Sequence, residues 1–239
     1  ILFYSPLYEN ESYQNQLDRG KTGEYPAHLL YGITALEKMG HKIHFPDGKF
    51  ILGKKSGRFE LYKDLAKNAV NILKNSRNID ILYTPYKRGL EFLIFLRTIG
   101  IYRKKIYCWE HATIIPKSGI RKYFQKFHFN GIDHLLFFGQ KNLDDSANAG
   151  VISKRKAHHI TWGPDVDKYD LIKKSIRKED NLPLTFISTG RDSRDYETMV
   201  QAFEQTNARF ILYVTDPDLF KKYFNQTYKQ PTSSQIHFP

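Results

Sequence analysis

Arg191 and Arg194 follow Gly190 in a turn, Thr189–Asp195, that separates two readable segments. Leu184–Ser188 before it is an apolar run of strand length. Tyr196–Glu204 after it places Met199, Val200 and Phe203 at the spacing of a helix face. A turn at the carboxyl end of a strand and the amino end of a helix offers unpaired backbone N–H groups and the positive end of the helix dipole. Two guanidinium forks there would suit phosphate oxygens. The plain alternative is a surface turn in which both arginines pair with Asp192 and Asp195.

Four further groups could carry chemistry. Gly23-Glu24 stand at the end of a polar stretch and the start of an expected helix, where a glycine lets backbone approach a phosphate or sugar closely; a simple turn before an amino-terminal glutamate is the alternative. Glu110-His111 directly follow an expected strand, and His111 could donate to a substrate hydroxyl or to a developing charge, or serve only as a structural hydrogen-bonder. Asp165-Val166-Asp167 is a D-x-D that could hold a divalent cation against a diphosphate, but Asp165 could equally cap a turn. Lys117–Phe129 has Ile120, Tyr123, Phe124 and Phe127 on one helical side with Arg121, Lys122 and Lys126 around them. Such a helix is expected to pack on the sheet with a solvated basic rim, the alternative being an anionic membrane surface. His41, His44, His158 and His159 have no ligand spacing, so no metal site is expected.

The elements that would position these groups alternate along the chain. Strands are expected at Ile1–Tyr4, His41–Phe45, Asp80–Thr84, Lys105–Trp109, His134–Phe138, Ala157–Thr161, Leu184–Ser188 and Phe210–Val214. Helices are expected at Glu24–Met39, Leu61–Leu73, Gly89–Ile99, Gly119–Phe129, Gln140–Ala149 and Tyr196–Glu204, with a long polar loop over Pro6–Gly23 and an irregular basic segment at Asp47–Arg58. This alternation is that of doubly wound α/β domains with mostly parallel sheets. Asp170–Asn181 reads as a charged, turn-rich joint. The division expected is an amino-terminal Rossmann-like domain over 1–168, a linker over 169–183, and the start of a second Rossmann-like domain over 184–239. Ligands of such sheets bind outside the carboxyl ends of the strands.

Composition bounds the partners. The 239 residues include 41% hydrophobic and 15% aromatic side chains, ample for a packed core and unlike a disordered chain. The formal charge of +12, from 37 Lys+Arg against 25 Asp+Glu, draws the chain towards polyanions: phosphorylated ligands, anionic lipid or nucleic acid. No nucleic-acid-binding motif is recognisable. The single cysteine, Cys108, excludes an internal disulfide and fits a reducing compartment, so a cytoplasmic protein is expected, peripheral at the inner membrane face if it meets lipid. The apolar run Leu90–Leu96 contains Glu91 and stops at Arg97, well short of a membrane span. No signal peptide is read at the opening strand, and from the abrupt starts and stops at Ile1–Ser5 and Gln235–Pro239 a fragment is expected.

In order, these pieces resemble the retaining glycosyltransferases of family 4, which have the GT-B fold of two Rossmann-like domains. The run FISTGRDSRDYETMVQAFEQ, beginning at Phe186, resembles the start of that family's carboxy-terminal domain, matching it at Gly190, Arg191, Arg194, Ala202 and Phe203, with Arg194 in place of the commoner lysine and a shorter spacing. Gly23-Glu24 and Leu36…Gly40-His41-Lys42-Ile43 resemble its glycine loop and the entry to its second strand. Trp162–Tyr169 resembles its Asn-Gly-Val-Asp…Phe segment, with a proline and an extra Val-Asp as departures, and His111 stands where the family has an active-site histidine. The family's E-x7-E element has no counterpart in this sequence.

The resemblance implies a nucleotide-sugar-dependent glycosyltransferase that retains anomeric configuration and needs no metal or other cofactor. Its acceptor would be a glycan or lipid-linked molecule, in cell-surface polysaccharide or glycolipid assembly. Gly23, Gly190, Arg191 and Arg194 would bind the donor diphosphate, His111 a donor-sugar hydroxyl, and Glu24 would orient the acceptor. A non-catalytic module binding a phosphorylated or glycan ligand is the alternative.

Overall fold

The structure is a computed structural model and describes residues 1–5, 10–46, 58–175, 184–189, 195–206 and 208–213. The chain divides into two units, Ile1–Lys173 and Lys174–Pro239.

Five parallel strands form the sheet of the first unit in the order β1 (Leu2–Phe3), β2 (Ile81–Thr84), β3 (Lys105–Glu110), β4 (His134–Phe137) and β5 (Ala157–His159). Side-chain alternation decides which layer each residue joins. Leu2, Leu82, Ile106, Cys108, Leu135 and Phe137 face one core, with Ala69, Ile72, Leu93, Ile94 and Phe129. Those partners come from α3 (Arg58–Asn75), α4 (Glu91–Thr98) and α5 (Ile120–Asn130). Phe3, Tyr83 and Trp109 face the other core, where α1 (Asn10–Lys21) gives Tyr13 and Leu17, a 3₁₀ turn (Ala27–Leu30) gives Leu30, and α2 (Ile33–Lys38) gives Ile33. The strands β1 to β4 thus carry apolar residues on both sides, as a sheet covered twice requires. The first unit is Rossmann-like, the fold class expected. In it α6 (Gln140–Asn148) leads from β4 to β5, and α7 (Val166–Ser175) follows β5.

The second unit holds β6 (Thr185–Thr189), α8 (Tyr196–Glu204) and β7 (Arg209–Tyr213), with β6 and β7 parallel from Thr185↔Arg209 to Thr189↔Tyr213. That is the strand–helix–strand unit expected there. Asp195 caps α8, its carboxylate accepting from the Thr198 amide at 3.0 Å and the Thr198 hydroxyl at 2.8 Å.

Four local expectations are corrected. The polar stretch expected as a loop over Pro6–Gly23 contains α1 over its described part. The single helix expected over Glu24–Met39 is instead a 3₁₀ turn and the short α2, parted by Tyr31 (φ 52) and Gly32 (φ 78), both left-handed. Its apolar periodicity was real, but Pro26 opens the turn and the Tyr31 carbonyl is held by the Tyr83 hydroxyl at 2.6 Å, which breaks the helix. The expected second strand, His41–Phe45, is reduced to a bridge between His44 and Leu2. The expected turn-rich joint begins as α7, because the Asp165 carboxylate accepts from the Lys168 amide at 3.2 Å and starts a helix there.

Candidate active site at the carboxyl ends of the strands

Parallel strands bring their carboxyl ends to one edge of the sheet. At that edge the chain places an aromatic ring just past each of four strands: Tyr86 after β2, His111 after β3, Phe138 after β4 and Trp162 after β5. With Tyr25, His28, Leu29 and Tyr31 they line a cavity of about 420 Å³, inside the roughly 300–1,000 Å³ usual for small-ligand sites.

The rings hold one another in place. His111 and Tyr86 stack with centroids 4.6 Å apart and planes 3° from parallel. Phe138 lies 5.0 Å from His111 and stacks on Trp109 at 4.5 Å. The hydroxyls of Tyr31 and Tyr86 are 3.0 Å apart. Beneath them the Trp109 indole N–H donates to the Tyr83 hydroxyl at 2.6 Å, and that hydroxyl donates onward to the Tyr31 carbonyl at 2.6 Å. Burial pushes the Tyr83 phenol well above its ordinary range, so it remains a protonated donor.

The hydrogen bonds also settle two tautomers. His111 Nε2 lies 2.9 Å from the Pro85 carbonyl. A carbonyl only accepts, so Nε2 carries a proton and donates there, and Nδ1 is the nitrogen left to accept. His28 Nδ1 accepts from the Asp165 amide at 3.0 Å, so neutral His28 carries its proton on Nε2. The site therefore has one imidazole of each hydrogen-bonding sense among phenols.

Asp165 ties the far wall together. Its carboxylate accepts from the Ala27 amide at 2.9 Å as well as from Lys168, and these hydrogen bonds, Ala27's first, hold its carboxyl below the usual range. The Trp162 indole N–H donates to the His28 carbonyl at 2.9 Å. Asp165 thus acts as the cap foreseen as the alternative to metal binding. Among the described residues no group of three His, Cys, Asp or Glu could hold a metal ion.

The other expected site residues lie elsewhere. Gly23, with φ 78, ends α1 instead of opening a helix. Its amide donates to the Gly20 carbonyl at 3.2 Å and its carbonyl accepts from the Lys168 ammonium. No positive helix terminus stands behind it, and it lines a separate cavity of about 590 Å³ with Lys21, Thr22 and Lys168. Glu24 is exposed and lies 3.4 Å from Arg19. Gly190, Arg191 and Arg194 lie outside the described residues. Tyr25, His28, Tyr31, Tyr86, Phe138 and Trp162 were missed by sequence reasoning. The signal for three of them, Tyr86, Phe138 and Trp162, lay in their register, within three residues of a strand's carboxyl end.

On the other side of β3 the Glu110 carboxylate is buried and paired with the Lys87 ammonium, which also lies 5.5 Å from the centre of the Phe129 ring. A cavity of about 660 Å³ opens there, lined among others by Glu91, Lys117, Arg121 and His128. Burial first, then the charges of Lys87 and Lys117, push the His128 imidazole down to about 4, so it is neutral at pH 7. Cys108, buried in the same layer, has its thiol pushed up by burial and is no nucleophile.

Fold and site together define a Rossmann-like α/β protein with an aromatic pocket at the carboxyl edge of its sheet. No protein-family model matches the chain, and no curated protein is significantly similar to it. Among solved structures, the UDP-N-acetylglucosamine 2-epimerase from Rickettsia bellii is similar with a TM-score of 0.48 and 12% sequence identity, over 87% of this chain. The chain spans 58% of the epimerase's length, and a likeness of this degree is too coarse to bear on activity.

Proposed function

We propose that this chain belongs to a nucleotide-sugar-dependent glycosyltransferase that moves a sugar to a glycan or lipid-linked acceptor in cell-surface polysaccharide or glycolipid assembly. The observation that carries the reading is the aromatic pocket around His111. A pyranose has apolar C–H faces and a rim of hydroxyls. The negative faces of Tyr86, Phe138 and Trp162 suit the former. His111 Nδ1, His28 Nε2 and the phenols of Tyr31 and Tyr86 supply both an acceptor and donors for the latter.

Transfer breaks the bond between the anomeric carbon and a diphosphate oxygen, and negative charge accumulates on the departing diphosphate. Arg191 and Arg194 are assigned to neutralise it, with the Gly190 backbone approaching closely. His111 accepts a hydroxyl proton in a hydrogen bond and so orients the sugar. Glu24 keeps the role of orienting the acceptor, and Gly23 that of a close backbone approach without a helix dipole behind it. The resemblance noted in the sequence supports retention of configuration and chemistry without a metal.

Calorimetric titration with UDP, GDP and ADP tests the donor side. Binding of one diphosphate that is lost in Arg191→Ala/Arg194→Ala supports the reading. Saturation-transfer NMR with monosaccharides tests the pocket, with contact expected in the wild type and lost in His111→Ala. Sugar contact without diphosphate binding or donor turnover would make the chain a glycan-binding module; neither one would overturn both assignments.

A further inference from the structure

The apolar stripe of α5 does not pack against the sheet. Ile120, Tyr123, Phe124 and Phe127 recur at the spacing of one helical face, and they are 71%, 76%, 66% and 40% exposed. What α5 buries instead is Phe129, near its end. The stripe is extended on both sides. Gln125 accepts from the Lys117 amide at 2.9 Å and donates to the Ile115 carbonyl at 2.9 Å, which pins the preceding loop to the helix while the Ile115 side chain stays 76% exposed. On α4 the half-exposed rings of Phe92 and Phe95 lie 6.2 Å apart, and Phe95 lies 6.0 Å from Phe127. A continuous apolar face of this kind marks an interaction surface.

The charge of the α5 segment is one-sided. From His111 to Ile132 the chain has no carboxylate but carries Lys117, Arg121, Lys122 and Lys126. None of these four forms an ion pair among the described residues. Arg121 and Lys122 occupy the first turn of α5, where no acidic residue stands and where the helix dipole disfavours cations. These positions oppose helix stability on their own and suit an external anion. Glu91 and Glu110 line the neighbouring cavity without forming an ion pair with these four, and exposed rings beside such cations match the boundary between anionic headgroups and acyl chains.

We propose that the α4–α5 face docks on an anionic lipid surface, with Ile115, Tyr123 and Phe124 entering the acyl boundary and Lys117, Arg121, Lys122 and Lys126 meeting headgroup phosphates. The binding is peripheral, since among the described residues no helix is long and apolar enough to cross a membrane. It is independent of the transfer reaction and stands whatever the aromatic pocket binds.

Co-sedimentation with vesicles of phosphatidylcholine alone, and of phosphatidylcholine mixed with phosphatidylglycerol, tests it directly. Binding is expected to the mixed vesicles only and to weaken as salt rises. Phe124→Asp and Arg121→Glu/Lys122→Glu should each weaken it at least tenfold, with unchanged circular dichroism and melting, because the altered side chains are exposed. In a Tyr123→Trp variant the added indole should be quenched by brominated acyl chains. Failure to sediment with the mixed vesicles, or equal binding by both charge-altering variants, overturns the proposal. So does a dimer in sedimentation velocity that Phe124→Asp dissolves, which would make the face a contact between copies of the chain.

Discussion

The two sides of the β3 carboxyl end are built from opposite materials. Glu110 and His111 are adjacent, and strand alternation sends them to opposite layers. Glu110 enters a charged cavity with Lys87, Glu91, Lys117 and Arg121. His111 enters a pocket walled by rings, without a carboxylate or ammonium among its lining residues. On the charged side stability depends on pairing, because an uncompensated buried carboxylate is costly. On the aromatic side the polar atoms left over are neutral donors and acceptors, the kind that fix the orientation of an uncharged polyol. One strand end thus separates a region where charge supports the fold from one where the absence of charge permits recognition.

The sharpest way to break this contrast is Lys87→Met. It leaves Glu110 buried without its cation and should lower stability by about 2–3 kcal/mol, read as a fall in melting temperature. Sugar contact at His111 should be unchanged in the folded fraction, since the two sides share no hydrogen bond. Acid should act on the same side. The His128 imidazole is held below its unfolded value, so the folded state resists a proton the unfolded state accepts. Stability should then be fully present above about pH 6.5 and fall towards pH 4, by up to ~2–3 kcal/mol. His128→Gln should flatten that limb in a comparison of unfolding free energies against pH.

Tyr83→Phe sharpens the contrast from the aromatic side. It removes the acceptor of the Trp109 N–H and the hydroxyl that donates to the Tyr31 carbonyl, at a cost of about 1–2 kcal/mol. Sugar affinity should weaken with it because Tyr31 loses one of the bonds that position it. His111→Ala should reverse that pattern, costing about tenfold in sugar affinity (~1.4 kcal/mol) with less than about 0.5 kcal/mol of stability, since the ring is exposed. Smallest of all, Glu24→Gln removes only an exposed ion pair and should change stability by less than ~0.5 kcal/mol. A loss of transfer rate in that variant would then report on the acceptor and not on folding.

Much of this fold was legible in the sequence because strands and helices of the central region are each dictated by one local pattern. Lys105–Trp109 reads as a strand and is one, since both of its faces are buried. The failures share a physical cause. The segment from Glu24 to Met39 has a helix's periodicity, but a bond from Tyr83, 52 residues away, captures the Tyr31 carbonyl and no local window contains it. The stripe of α5 was expected to be buried, because periodicity shows that a face is apolar and not what covers it. His111 was visible as a residue just past a strand, whereas its companions were not, because rings scattered over four loops become one pocket only when the strands align in parallel. Gly23 misled for a related reason. A glycine that ends one helix and a glycine that opens the next look alike in a sequence.

The reach of Asp165 has a consequence for synthesis. Its carboxylate bonds to Ala27 across 138 residues and its amide to His28 across 137. Contacts of such separation close late. A chain emerging from the ribosome can lay down its first strands and cover them with helices while the wall of His28 and Trp162 is still open. The pocket is completed only once Asp165 is free to fold back, so until then the unfinished protein exposes its rings without an assembled place for a sugar.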